Sequence, residues 1–289
     1  MDVVRDAVLV AAGLGKRMFP ASAFSPKEAL PLIDVPLLTH LILEAKEANI
    51  QRFHVVVSPT KSFEPWLENR ENLHALQVRL DKQLFHAAAG MEIHVHVQRE
   101  PKGVANAIEA ALGAVEGPFL VMLGDNLLMD VHAPSEAYVP SAASKRLVQA
   151  FMDHGKPTIG LMEVDEADVG KYGIVGLEDQ RICAMVEKPA PENAPGKMAI
   201  CGRYVFSAET QALLKTYTYD QHGELQSIAL LKHWMMEGEL HGHVFENTQW
   251  YDSGDPLLWL KAQVDHALRR PDYGEDMEAW LNNRLTGQR

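Results

Sequence analysis

The chain reads as an α/β protein, a mostly parallel sheet covered by helices on both faces. Three observations predict this. Runs such as Ala7-Val8-Leu9-Val10 and Leu120-Val121-Met122-Leu123 are continuously apolar rather than alternating, as strands buried on both sides should be. Amphipathic stretches lie between such runs and are long enough to cross back over a sheet. With 47% hydrophobic residues among 289, the chain can bury a substantial core.

The elements follow in order. Residues 7–10 give the first strand, and 36–48 a helix with apolar residues at three- and four-residue intervals. Residues 52–57 and 92–97 read as strands, separated by a longer helical region over 67–88. The alanine-rich stretch 102–115 predicts a helix beginning near Gly103, and 119–123 a buried strand. Residues 135–151 predict a helix interrupted at Pro140; strands follow at 157–163 and 173–176. Three prolines make 189–195 a loop, and 256–288 is mainly helical with a break around 271–274. Without repeats, low-complexity tracts or a linker, residues 1–289 read as one composite domain, its C-terminal helical segment covering 256–289.

A formal charge of −12 argues against a general nucleic-acid binder, and any polyphosphate site must carry its own cations. Cys183 and Cys201 make neither a disulfide framework nor a zinc site, and read as buried thiols in a reducing compartment. No apolar run has the length to span a bilayer, and Met-Asp-Val-Val-Arg-Asp is no signal peptide. The expectation is a soluble, cytoplasmic protein with no membrane partner. His94 with His96, and His241 with His243, alternate along strands without a third ligand nearby, so they read as strand residues rather than metal ligands.

Eight blocks carry chemistry. In Ala11-Ala12-Gly13-Leu14-Gly15-Lys16-Arg17, a strand end, a glycine turn and two cations make a grip for a polyphosphate, aided by the positive end of a following helix. It lacks the Gly-Lys-Ser/Thr ending of the P-loop and the third glycine of the dinucleotide fingerprint. Ser25-Pro26-Lys27-Glu28-Ala29-Leu30-Pro31-Leu32 holds a cation and an acid between prolines, as in a rigid extended loop. Gln98-Arg99-Glu100-Pro101-Lys102-Gly103 leaves a strand and enters a helix. Asp125 ends a buried strand, where it alone reads as a helix cap, and Asp252 sits in Trp250-Tyr251-Asp252-Ser253-Gly254-Asp255. Tyr172-Gly173-Ile174-Val175, Val186-Glu187-Lys188-Pro189 and Ala199-Ile200-Cys201-Gly202-Arg203-Tyr204-Val205 complete the set.

In their order along the chain, over residues 5–265, the blocks resemble the sugar-1-phosphate nucleotidyltransferases, and most closely the bacterial UTP–glucose-1-phosphate uridylyltransferases. The resemblance implies a Rossmann-like three-layer sandwich with a mostly parallel mixed sheet, of the nucleotide-diphospho-sugar transferase type. It implies that Ala11, Ala12, Gly13, Gly15, Lys16, Glu28, Gln98 and Gly103 bind the nucleotide, Gln98 and Gly103 reading the pyrimidine edge. A carboxamide suits that task, matching uracil or thymine N3–H and a ring carbonyl together. Gly173, Glu187, Lys188 and Gly202 would hold the sugar phosphate, and Asp125 and Asp252 would hold Mg²⁺. Arg17, Lys27 and Lys188 would be catalytic, in an in-line attack of the sugar phosphate on the α-phosphorus of the triphosphate, releasing pyrophosphate. Members of the family are often dimers or tetramers, so a homo-oligomer is implied.

Some positions depart from the pattern. Lys16 stands where threonine is common, Ala105-Asn106 where the uridylyltransferases often have Gly-His, and Ala229 where an acid closes a Gly-Glu-Leu-Gln block. Three readings therefore stay open: UTP–glucose-1-phosphate uridylyltransferase, a dTTP-using glucose-1-phosphate thymidylyltransferase, and a non-catalytic nucleotide-sugar binder of the same fold.

Overall fold

The structure is a computed structural model that describes residues 3–217 and 226–287. Its strands among these residues are β1 (Asp6–Val10), β2 (Pro31–Leu32), β3 (Val35–Pro36), β4 (Arg52–Val57), β5 (Glu92–Val97), β6 (Phe119–Leu123) and β7 (Asn126–Met129). They continue with β8 (Thr158–Glu163), β9 (Gly173–Glu178), β10 (Arg181–Glu187), β11 (Met198–Phe206), β12 (His241–Val244) and β13 (Gln249–Asp252). Among the described residues, nine strands form one sheet in the order β5-β4-β1-β6-β11-β8-β12-β10-β9. The β2–β3 hairpin and the β7–β13 ribbon stand apart from it.

The α/β class and the mixed sheet are as expected, with the parallel pairing concentrated in β5-β4-β1-β6. Beyond β6 most neighbours run antiparallel, although β12 lies parallel to β8. Connection length explains one such pair. Only Asp179 and Gln180 join β9 to β10, too few residues for a crossover, so the two strands must fold back.

The strand period of two builds a core on each face. Leu9, Phe53, Leu120 and Met122 pack on one side with the Leu37–Glu47 and Ala143–His154 helices. Val8, Val56, Phe119 and Val121 pack on the other with the Val104–Ala111 and Gln226–Met236 helices. Three layers result. The chain leaves β1 toward β4 on one side and meets β6 on the other, so a crevice opens at the carboxyl ends of these strands.

Three local expectations are corrected. Residues 67–88 hold no long helix; helical turns at Glu64–Leu67 and Glu71–His74 and a 3₁₀ turn at Lys82–Phe85 share the region. Short polar side chains divert the backbone there: Asn69 accepts from the Glu71 N–H and Asp81 from the Gln83 N–H. The break at Pro140 is present, but it separates a 3₁₀ turn at Ser135–Ala137 from a helix over Ala143–His154. Cys201 is buried, whereas Cys183 is exposed on β10, because alternate residues of that strand face outward. Among the described residues no helix is long and apolar enough to cross a membrane.

The edge of the core contains a charge with a testable signature. Asp6 is fully buried and accepts hydrogen bonds from the Arg52 guanidinium at 2.6 and 2.7 Å and from His54 at 2.9 Å. Burial pushes its carboxyl up, but the bonds from His54 and Arg52 outweigh it and hold the pKa at about 2. A lowered folded pKa means the stabilisation is complete above the unfolded value of 3.8 and is lost as pH falls toward about 2. Asp6→Asn is expected to cost about 2–3 kcal/mol at neutral pH and to flatten the stability profile between those two values. Urea melts across the acid range measure this; superimposable acid limbs for the two proteins would refute it.

Candidate active site

The glycine turn leaves β1 with its carbonyls satisfied. The Gly124 N–H donates to Val10 O at 2.9 Å, and the Lys61 ammonium donates to Ala11 O at 2.8 Å. The N–H groups of Ala12, Gly13, Leu14 and Gly15 meet no acceptor among the described residues, which suits an anion. Gly15 has φ 64°, and a Cβ there would lie 3.2 Å from Ser22 and 3.5 Å from the Lys27 stem. A 3₁₀ turn of three residues, Lys16–Met18, follows it. The expected contribution from a helix end is therefore corrected: loop amides and side-chain cations supply the positive field.

The expected extended loop at 25–32 is also corrected. Lys27–Ala29 is a 3₁₀ turn, closed by Ala29 N–H to Pro26 O at 2.9 Å, with proline favouring the turn's start. The turn carries Lys27 and Glu28 inward, 8% and 1% exposed. Lys27 reaches Asp125 Oδ2 at 2.5 Å. Glu28 pairs with Lys61 at 2.9 Å, and burial pushes the carboxyl up and the ammonium down despite their attraction. Nothing in the motif reading singled out Lys61, which comes from the loop after β4.

A cavity of about 290 Å³ opens over these groups and is lined by Ala12, Gly13, Lys27, Glu28, Gln98 and Gly103, among others. Ala11, Gly15 and Lys16 do not line it; Arg17 lies beside Gly254 and Asp252 instead. Gln98 Nε2 donates to Gly103 O at 3.0 Å and to Asn106 Oδ1 at 2.9 Å. Since a backbone carbonyl can only accept, the amide end of Gln98 is fixed there and Oε1 is left to face a ligand. The two-way pairing expected of Gln98 is thus reduced to an acceptor.

A second cavity, of about 530 Å³, contains Gly173, Glu187, Lys188 and Gly202 together with Asp125 and Asp252. Register explains the grouping. Glu187 stands opposite Gly173 in the β9–β10 pair, and a Cβ on Gly173 would lie 3.0 Å from its carboxylate. Lys188 takes φ 44° as the chain leaves β10, its N–H donating to Tyr172 O at 3.0 Å and its ammonium 4.0 Å from Glu187 Oε1. Gly202, at φ 75°, abuts Asn126: a Cβ would approach that carboxamide to 3.0 Å. Of the block ending in Ala229, Gly223, Glu224 and Leu225 lie outside the described residues. Ile228 and Leu230, flanking Ala229, line this cavity.

The two cavities share Val104, Leu123 and Asp125. The β7–β13 ribbon is what brings the acids together: Asp252 pairs with Asn126, and the Ser253 N–H donates to Asp125 O at 2.8 Å. Burial pushes Asp125 up, but Lys27 beside it prevails and holds the carboxyl below its ordinary range. Asp252 is raised, by burial and by the Asp125 charge, against the opposing Gly254 N–H, Arg17 and Lys27. Its Oδ1 accepts from Gly254 at 2.7 Å, while Oδ2 has no protein donor among the described residues. Such a pair fits a hard cation completed by substrate phosphates; no larger His, Cys, Asp or Glu cluster suited to a metal occurs among the described residues. The histidine pairs pack as expected, His94 and His96 against His54, and His241 against His154.

The chain is similar to known proteins in sequence and in structure. The model of the nucleotidyl transferase family matches residues 6–267. A UTP–glucose-1-phosphate uridylyltransferase of Bacillus subtilis, YngB, is 30% identical, with 97% of this chain and 95% of the relative aligned. One from Staphylococcus epidermidis is 29% identical over 97% of this chain and 98% of its own length. The structure is similar to that of a UTP-bound UGPase from Acinetobacter baumannii, with a TM-score of 0.80 and 25% identity, covering 96% of this chain and 99% of the other.

Proposed function

The chain belongs to the nucleotidyl transferase family, and from that premise we propose that it transfers the uridylyl group of UTP to glucose 1-phosphate, giving UDP-glucose and pyrophosphate. One observation carries the proposal: Asp125 lines both a cavity edged by the glycine turn and Gln98 and a cavity edged by Glu187 and Lys188. Two substrates brought to one carboxylate are what an in-line displacement between two phosphates requires.

The loop amides from Ala12 to Gly15 hold the triphosphate, with the charge of Arg17 supplied from beside Asp252. Gln98 Oε1 accepts the uracil N3–H, and Gly103 brings the main chain to the base edge. Cytosine has a bare acceptor at N3, so CTP faces acceptor against acceptor. Turnover with CTP is expected to be lower than with UTP by about a hundredfold or more, the cost of leaving a buried polar group unpaired. Comparable kcat/KM for the two nucleotides would remove Gln98 from base reading.

On the other side Glu187 accepts from sugar hydroxyls and Lys188 places the sugar phosphate, whose oxygen is already ionised and needs no general base. Lys188→Ala is expected to cost about a hundredfold in kcat/KM, roughly 3 kcal/mol of transition-state stabilisation. A loss below threefold would take the role away from Lys188. Lys27, held by Asp125, offers its charge to the reacting phosphates. Asp125 and Asp252 are the residues that would hold Mg²⁺, which when bound supplies further charge neutralisation at those phosphates.

Pyrophosphate release from glucose 1-phosphate, with UTP and dTTP in parallel and with Mg²⁺ or EDTA, tests the reading. Metal-dependent turnover preferring UTP is expected. Preference for dTTP would reassign the nucleotide, and nucleotide binding without any turnover would overturn the catalytic reading in favour of a nucleotide-sugar binder.

A further inference from the structure

Asn126 follows the carboxylate shared by both cavities, and its side chain is tied at both ends. Its Nδ2 donates to Asp125 Oδ1 at 2.7 Å, and its Oδ1 accepts from the Trp250 indole Nε1 at 2.7 Å. The order of these bonds is not interchangeable. An indole N–H can only donate, so the amide oxygen must face Trp250 and the amide nitrogen must face Asp125. A flipped Asn126 would set its oxygen against a carboxylate and its NH₂ against the indole N–H, two repulsive contacts in a buried place.

The surroundings hold the rest of Asn126 in place. Arg203, fully buried, donates to its backbone carbonyl at 2.9 Å, and a Cβ at Gly202 would come within 3.0 Å of its carboxamide, so only glycine leaves it room. Trp250 lies on β13 opposite Leu128 and shares a strand face with Asp252, two residues on. Its ring packs on Tyr172 with centroids 4.6 Å apart. One Asp125 oxygen is thereby fixed by the relay, while the other meets Lys27.

We infer that Trp250 is a positioning residue, acting through Asn126 to set the orientation of the Asp125 carboxylate for a divalent cation. The inference rests on the reading of Asp125 given above. It predicts that the indole N–H matters more than the indole's bulk, and that its effect passes through Asn126 alone.

The test compares wild type, W250F, W250H, N126A and W250F/N126A. The readouts are Mn²⁺ affinity with UTP bound, by electron paramagnetic resonance, and kcat and KM for both substrates. W250F, which keeps a packed ring but no donor, is expected to weaken Mn²⁺ binding and lower kcat by about tenfold, with both KM values within twofold. W250H, which keeps a ring N–H but loses bulk, is expected to stay closer to wild type than W250F. The double variant is expected to match N126A, since one relay can be cut only once. Additive losses, W250H more damaged than W250F, or a W250F Mn²⁺ affinity within twofold of wild type would each overturn the inference. Mn²⁺ affinity needs no turnover, so a wild-type protein that binds Mn²⁺ yet releases no pyrophosphate would sink the proposed reaction and leave the relay to be judged on binding.

Discussion

Asp125→Asn is expected to lower kcat by about a thousandfold or more while leaving the fold in place, the scale of losing a preorganised electrostatic partner of the reacting phosphates. The substitution keeps the shape of the side chain and removes one charge. Asp125 lines both cavities, and Lys27 is directly paired with it. Neutralising it would therefore strip the proposed cation site of one ligand charge and free Lys27 from its anchor. The fold should persist with some loss of stability, since Lys27 holds the carboxyl below its ordinary range and is left buried without that partner, offset in part by relief of the repulsion with Asp252. Kinetics with Mg²⁺ saturation curves and a thermal melt measure both effects. Activity within tenfold of wild type would show that Asp125 is not a ligand of the essential metal.

The second large effect falls on stability. Arg203 and Glu44 are both fully buried and form a two-pronged pair, Nε to Oε1 at 2.9 Å and Nη2 to Oε2 at 2.8 Å. Burial works against the charge on Arg203, but Glu44 beside it keeps the guanidinium firmly protonated. Ser144 adds a bond to Glu44 at 2.6 Å, so the pair ties the Leu37–Glu47 helix, the Ala143–His154 helix and β11 together. Arg203→Ala leaves Glu44 buried without its cation and with only the Ser144 hydroxyl as a partner. The expected cost is about 3–5 kcal/mol, roughly 5–8 °C in Tm for a chain of this size. Replacing both residues by apolar ones of similar volume, as in E44L/R203M, should recover much of the loss, because two desolvated charges vanish together. Differential scanning calorimetry on the three proteins decides it. Equal stability of the single and double variants would mean that the unpaired charge is not the source of the cost.

Arg203 also shows the limits of reading a site from its motif. In the sequence it stands between Gly202 and Tyr204 in a block assigned to the sugar, and nothing there points to Glu44, distant along the chain. In the structure it braces Asn126, which in turn meets Asp125. Lys61 is a similar case. No motif contains it, yet it binds Ala11 O and Glu28 and so joins the glycine turn to the Pro-Lys-Glu turn. Both are long cations whose partners come from other elements, and local spacing carries no signal for such contacts.

Where the information was local, the sequence was enough. The apolar runs at β1, β4 and β6 are buried on both faces, so their composition alone identified them. Residues 67–88 misled because their periodicity is weak and mostly exposed, and asparagine and aspartate side chains won the competition for backbone N–H groups. β7 and β13 were not legible as strands, since four residues each carry too little pattern, yet their pairing alone juxtaposes Asp125 and Asp252.

The sequence by itself determined the α/β class, the glycine turn, the ordered blocks and the identity of the chemical groups, because these depend on residue type and near neighbours. Only the tertiary structure decided that two cavities share one carboxylate, that Gln98 presents an acceptor, and that Trp250 fixes Asn126. Those facts concern direction and partnership across the sheet. A hydrogen bond has geometry as well as chemistry, and a sequence specifies the chemistry long before the fold supplies the angle.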